Sequence, residues 1–191
     1  MTTVHDLRRV DDEAFRHLLD RNAIWSRMVA VGDRLPSLQL VEADLGPIRL
    51  DRLRLTGPIV LTFVRYASSP ACEAALAHYR DTLAPGLEDL GAHLVAVSPQ
   101  VPSRLAAVKR RHDLGFFVAA DPRHQLIDAF NIGFGCPGAD TVLGARHSTL
   151  PFAAVVVADR AGTIRFTDIR PDWSTPLPAD RIIAAVASFA G

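Results

Sequence analysis

The sequence predicts an α/β domain with a central mixed β-sheet flanked by helices. Short apolar, β-branched runs recur at residues 59–65, 92–98, 116–119 and 152–158, the pattern of buried strands. Stretches with apolar residues at helical spacing lie between them. A hairpin and a last helix then close the chain, and that order of elements indicates a mixed sheet.

Residues 6–30 carry Leu7, Val10, Phe15, Leu18, Leu19, Ile24 and Trp25 at near-helical spacing, which predicts an N-terminal helical extension over 1–30 and a single domain over 31–191. Gly32-Asp33-Arg34-Leu35-Pro36 breaks that pattern. Two short extended pieces follow at 38–41 and 48–50, with Gly46-Pro47 read as the turn between them. The run at 59–65 is the central strand. Leu76, Tyr79, Leu83 and Leu87 set a helix over about 71–90, which Pro85-Gly86 is expected to kink or divide. After the strand at 92–98, Pro102 sits at the first turn of a helix over 101–112, where a missing N–H costs little. Asp121 is expected to cap a short helix that ends near Phe130. Residues 131–150 read as a long glycine-rich connection, and such loops are usually functional or mobile. The strand at 152–158 turns through Asp159-Arg160-Ala161-Gly162 into 163–166, and a helix over 179–189 ends the chain.

With 191 residues, 49% hydrophobic and 22% charged, the chain suits one globular domain with a sizeable core. Acidic and basic residues balance at 21 each, so no overall field draws it to nucleic acid or anionic lipid. Lys109 is the only lysine. The first twelve residues lack a signal-peptide apolar stretch, and no run approaches the ~18 apolar residues of a membrane span. The expectation is a soluble, cytoplasmic protein. Two cysteines are too few for a disulfide framework or a cysteine zinc site, and the seven histidines show no metal-ligand spacing. No glycine-rich phosphate loop is present, so neither metal nor cofactor is expected.

The most informative residue is Cys72, where the central strand meets a short loop and a helix. A thiol there meets the unpaired N–H groups and positive end of the helix, both of which favour the thiolate. Free cysteine also serves as a small buried hydrophobe, so placement alone leaves both readings open.

Three segments carry a resemblance over residues 30–190. Gly32-Asp33-Arg34-Leu35-Pro36 with Ser37-Leu38-Gln39-Leu40 is similar to the entry segment of the peroxiredoxins, the alkyl hydroperoxide reductase and thiol-specific antioxidant family. Phe63 through Cys72 has the spacing of that family's site loop, and residues 156–166 resemble its late hairpin. The resemblance implies a thioredoxin-like fold with Cys72 as the peroxidatic cysteine. It also implies hydrogen peroxide or organic hydroperoxides as substrate, an external thiol as reductant and a homodimer.

The family pattern Pro-x-x-x-Thr-x-x-Cys reads here as Arg65-x-x-x-Ser69-x-x-Cys72. Serine keeps the hydroxyl that would orient thiolate and peroxide. Phe63-x-Arg65 and Ser69-Pro70-Ala71-Cys72 also resemble a branch with Phe-x-Arg-Gly-x-x-Cys-Pro-x-Cys, its first cysteine replaced by Ser69. The family arginine at the start of the late strand falls near Ala153, so Arg65 or Arg146 is expected to supply the guanidinium. Cys136, the only other thiol, is a candidate resolving cysteine; the alternative is a one-cysteine enzyme reduced from outside. His147 and Trp173 are candidate site-lining residues, against a surface loop and packing on the sheet respectively. A second functional reading is a degenerate member of the family that binds a partner or performs a specialised tailoring reaction.

Overall fold

In a computed structural model of the chain, residues 24–67, 69–144, 148–170 and 176–189 are described. A single 3-10 turn (Ile24–Arg27) is the described part of the expected N-terminal helices, the rest of which lies outside the described residues. Beyond it, Met28 and Val29 are buried in the core, and the Val29 amide donates to the Phe130 carbonyl.

The elements run β1 (Gln39–Glu42), β2 (Gly46–Arg49), α1 (Leu50–Thr56), β3 (Ile59–Phe63), α2 (Pro70–Asp89), β4 (His93–Ser98), α3 (Pro102–Arg111) and β5 (Phe117–Ala120). They continue through α4 (Gln125–Ala129), β6 (Gly133–Gly135), α5 (Ala139–Leu143), β7 (Thr149–Pro151), β8 (Ala153–Ala158), β9 (Ile164–Arg170) and α6 (Ala179–Ala187). Seven strands form one sheet in the order β2-β1-β5-β4-β3-β8-β9. β3, β4 and β5 pair in parallel, and the other pairings are antiparallel. The predicted α/β mixed sheet is therefore the fold observed.

Both faces of the sheet are covered, which is why its central strands read as continuous apolar runs. On one face Val60, Val118, Val155 and Val157 pack with Leu76, Leu83, Leu105, Ile182 and Val186 from α2, α3 and α6. On the other, Ile59, Leu61, Phe63, Val95 and Val97 meet Leu50, Leu126, Ile127, Phe130 and Phe152. β3 is buried at every position, so it holds its place in the sheet from both sides.

Several elements depart from the sequence pattern. The first hairpin turns at residues 43–45, where the Glu42 carboxylate accepts from the Asp44 and Leu45 amides, each at 2.8 Å. Pro47 instead lies within the edge strand β2, a place where a missing N–H breaks no inner ladder. Helix α1 has only Leu50 buried, which leaves no periodic stripe to read. Helix α2 runs unbroken through Pro85. Beside it, a side chain at Gly86 would meet Ile183 of α6 at 2.5 Å, so this glycine permits the close helix contact rather than a break.

The described residues of 131–150 do not form an open loop. β6 and β7 form a two-stranded sheet, and Cys136, Ala139, Leu143 and Leu150 make a small buried cluster with Tyr66 and Phe134 packed against it. The N-cap of α4 is His124 rather than Asp121, but the Asp121 carboxylate reaches the helix start from three residues upstream and accepts from the Gln125, Leu126 and Ile127 amides at 2.8–3.1 Å. Strand β9 continues to Arg170, four residues past the expected end. That extension matters for the site.

Candidate active site

Cys72 lies in the first turn of α2, where β3 delivers the chain to the helix. Ser69 is the N-cap: its Oγ accepts the Cys72 backbone N–H at 3.1 Å, and its carbonyl accepts from Glu73 at 2.9 Å. Pro70 follows at the helix start, where its fixed φ favours the first turn. The loop before it is fastened at both ends. The Val64 amide donates to the Val97 carbonyl at 2.9 Å, and the wholly buried Ala67 amide donates to Gln100 Oε1 at 2.6 Å. Gln100 itself is 1% exposed and leans on Ser98 Oγ. The site loop therefore rests on the far end of β4 as well as on its own strand.

Cys72 is 6% exposed and opens onto a cavity of about 50 Å³, room for a few water-sized molecules. Apolar wall comes from Val64, Ala75, Val155 and Leu177. The polar groups are Thr62, Tyr79, Asp168 and Arg170. Register explains why they meet. Thr62 pairs with Val155 across β3–β8, and Val155 with Asp168 across β8–β9, so the three project to one face. Val155 packs in the cluster that holds Cys72, which makes that face the one under α2. Arg170 lies two residues on, opposite Ala153, and faces the same way.

Arg170 grips Asp168 with two bonds, Nε to Oδ1 at 2.5 Å and Nη2 to Oδ2 at 3.0 Å. Burial pushes the Tyr79 phenol above its usual pKa, against hydrogen bonds with the Leu177 backbone and the Thr62 side chain. Tyr79 is thus a neutral hydroxyl in the wall of the cavity at ordinary pH.

Of the residues nominated from sequence, Cys72 and Ser69 lie together at the helix start, where the Ser69 hydroxyl meets the Cys72 backbone amide. Arg65 is half-buried on the loop after β3 and is not among the residues that wall the cavity. Cys136 is buried and in no disulfide, and it belongs to a different side-chain cluster from Cys72. Arg146, His147 and Trp173 lie outside the described residues. Gln100, Asp168 and Arg170 escaped the sequence reading. Gln100 follows the apolar strand within Ser98-Pro99-Gln100, a polar residue where the strand ends, and that is its only local signal. Among the described residues no cluster of three or more His, Cys, Asp or Glu side chains is placed to hold a metal ion.

This arrangement, a cysteine in the first helical turn between β3 and α2 with a hairpin closing the sheet, coincides with one family model. The AhpC/TSA family model matches residues 31–167, most of the chain. The chain belongs to the AhpC/TSA family. Peroxiredoxin Bcp of Bacillus subtilis is 26% identical over 104 residues, 54% of this chain and 65% of that protein. The chain spans 62–66% of the length of the curated relatives it matches. Among solved structures, peroxidoxin BcpB from Mycobacterium tuberculosis is similar at a TM-score of 0.70 and 21% identity, over 83% of this chain and 97% of that one. Peroxiredoxin Q from Xanthomonas campestris is similar at a TM-score of 0.69 and 17% identity, over 84% and 99% of the two chains. These likenesses show the AhpC/TSA chain to have a thioredoxin-like fold with its mixed sheet flanked by helices, as the resemblance implied.

Proposed function

We propose that this protein is a thiol-dependent peroxidase that reduces hydrogen peroxide or a small organic hydroperoxide through Cys72. The observation that carries the reading is Cys72 in a capped first helical turn at the wall of a small cavity. Family membership supports a peroxide as oxidant and a thiol as reductant.

In the oxidative step the Cys72 thiolate attacks the terminal oxygen of the hydroperoxide. The S–O bond forms as the O–O bond breaks, the sulfur loses two electrons and the peroxide gains them. The departing alkoxide or hydroxide takes a proton from solvent and leaves as alcohol or water, with Cys72 as a sulfenic acid. Ser69 holds the helix N-terminus in place under the sulfur.

An external thiol then condenses with the sulfenic acid, releasing water and leaving a mixed disulfide. A second thiol displaces Cys72 as its free form. Cys136 is not required in this scheme, because its burial in a separate cluster argues against ready approach to Cys72. Consumption of hydrogen peroxide and of tert-butyl hydroperoxide with dithiothreitol as reductant tests the reading. Wild type and Cys136→Ser turn over at rates within about twofold, while Cys72→Ser is inactive. Turnover that survives in Cys72→Ser would overturn the assignment.

A further inference from the structure

We propose that Arg170, held in plane by Asp168, is the cation that receives the departing oxygen in the Cys72 cavity; this rests on the peroxidase reading above. O–O cleavage by a thiolate pushes negative charge onto the leaving oxygen, and a water-poor pocket must meet that charge with a positioned donor. Among the described residues, Arg170 is the only guanidinium that walls the cavity Cys72 shares.

The fold explains how it gets there. β9 continues past the hairpin far enough to bring residue 170 opposite Ala153, on the face covered by α2. At 153 the small alanine side chain leaves room above the sheet for the guanidinium of its neighbour. The Asp168 side chain, 16% exposed, fastens Nε and Nη2, while the Arg170 side chain is 32% exposed. Such a two-bonded fork fixes the plane of the guanidinium, which a single contact would leave to rotate. Asp168 therefore acts as a positioning residue. The pair is charge-balanced at rest, so the cavity admits a neutral hydroperoxide. Thr62 and Tyr79 add hydroxyls on the same wall.

The test measures the second-order rate of Cys72 oxidation by stoichiometric hydrogen peroxide, by intact mass with a sulfenic-acid trap. Alkylation by iodoacetamide serves as the comparison, on the pH plateau where it no longer rises. The informative variant is Asp168→Asn with Arg170→Gln, which removes both charges and leaves no lone carboxylate facing the thiolate. Oxidation is expected to slow at least about 100-fold, the usual loss for one such donor, while alkylation stays within about threefold. Asp168→Asn alone is expected to slow oxidation about tenfold. Should the double variant melt early, Arg170→Lys carries the test, with oxidation at least about tenfold slower because lysine lacks the planar fork. Oxidation as fast as wild type in the folded double variant, or in Arg170→Lys, overturns the role of Arg170 alone. A wild-type Cys72 inert to peroxide overturns the peroxidase reading and this role with it.

Discussion

Replacing Gln100 by leucine isolates the link between fold and site. Leucine keeps much of the volume but removes the acceptor of the Ala67 amide, a 2.6 Å hydrogen bond at a position with no solvent exposure. An orphaned buried donor costs about 1–3 kcal/mol, and about 2 kcal/mol is the working value. For a chain of this size that lowers Tm by about 4–8 °C. If the lost energy falls on local opening of the loop, the open population at Ala67 rises roughly 30-fold, since each 1.4 kcal/mol is tenfold. Hydrogen exchange of a peptide spanning residues 64–72, with a thermal melt and the Cys72 oxidation rate, reads all three consequences. Exchange at Ala67 accelerates, Tm falls, and oxidation slows because the loop no longer fixes the helix start. Unchanged Tm and unchanged exchange in Gln100→Leu would refute the claim that β4 anchors the site loop.

Other predictions concern the cap and two buried carboxylates. Ser69→Ala leaves the Cys72 amide without its cap and lowers stability by about 1 kcal/mol, while Ser69→Thr retains most of it; urea unfolding compares them. Burial pushes the Glu42 carboxyl up, but Lys109 at 2.6 Å and the Val118, Leu45 and Asp44 amides outweigh it and hold the pKa at about 2. A depressed carboxyl pKa stabilises above the unfolded value of 4.5 and loses that stability as pH falls through 2, a contribution of about 3 kcal/mol. Glu42→Gln should therefore cost about that much at pH 7, and its penalty should shrink in acid when unfolding is repeated there. Burial raises Asp121 to about 6, against three amide donors and with Asp128 adding to the rise. Its contribution is present below the unfolded value of 3.8 and is lost as pH rises through 6. Removing that titration with Asp121→Asn flattens the stability profile between about pH 4 and 7, as denaturant midpoints across the range will show.

What the sequence made legible was whatever a local pattern encodes. The buried run of β3, the stripe Leu76, Tyr79, Leu83 and Leu87 on α2, and Cys72 between them all follow from periodicity and junction chemistry. That Asp121 serves the start of a helix follows from its place before one, although His124 takes the N-cap position itself. Gly46-Pro47 misled as a turn because the Glu42 carboxylate, anchored by the chain's only lysine, makes the turn three residues earlier. The glycines of 131–150 suggested mobility, but Leu143, Leu150 and Cys136 had enough apolar surface to close a small core. The polar half of the cavity was illegible for a different reason. Thr167, Asp168 and Arg170 lack strand-like alternation of apolar residues, and the partner that orders β9 is β8. Likewise the Gln100–Ala67 bond spans 33 residues, a contact no local window reports.

The central claim is that Cys72 is the peroxide-reactive group. Intact-mass analysis of wild type, Cys72→Ser and Cys136→Ser after stoichiometric hydrogen peroxide, with a sulfenic-acid trap present, tests it most directly. One trapped adduct within seconds in wild type and Cys136→Ser, and none in Cys72→Ser, is the predicted result. Cys72 remaining a free thiol over many minutes, or an adduct that persists in Cys72→Ser, would contradict it.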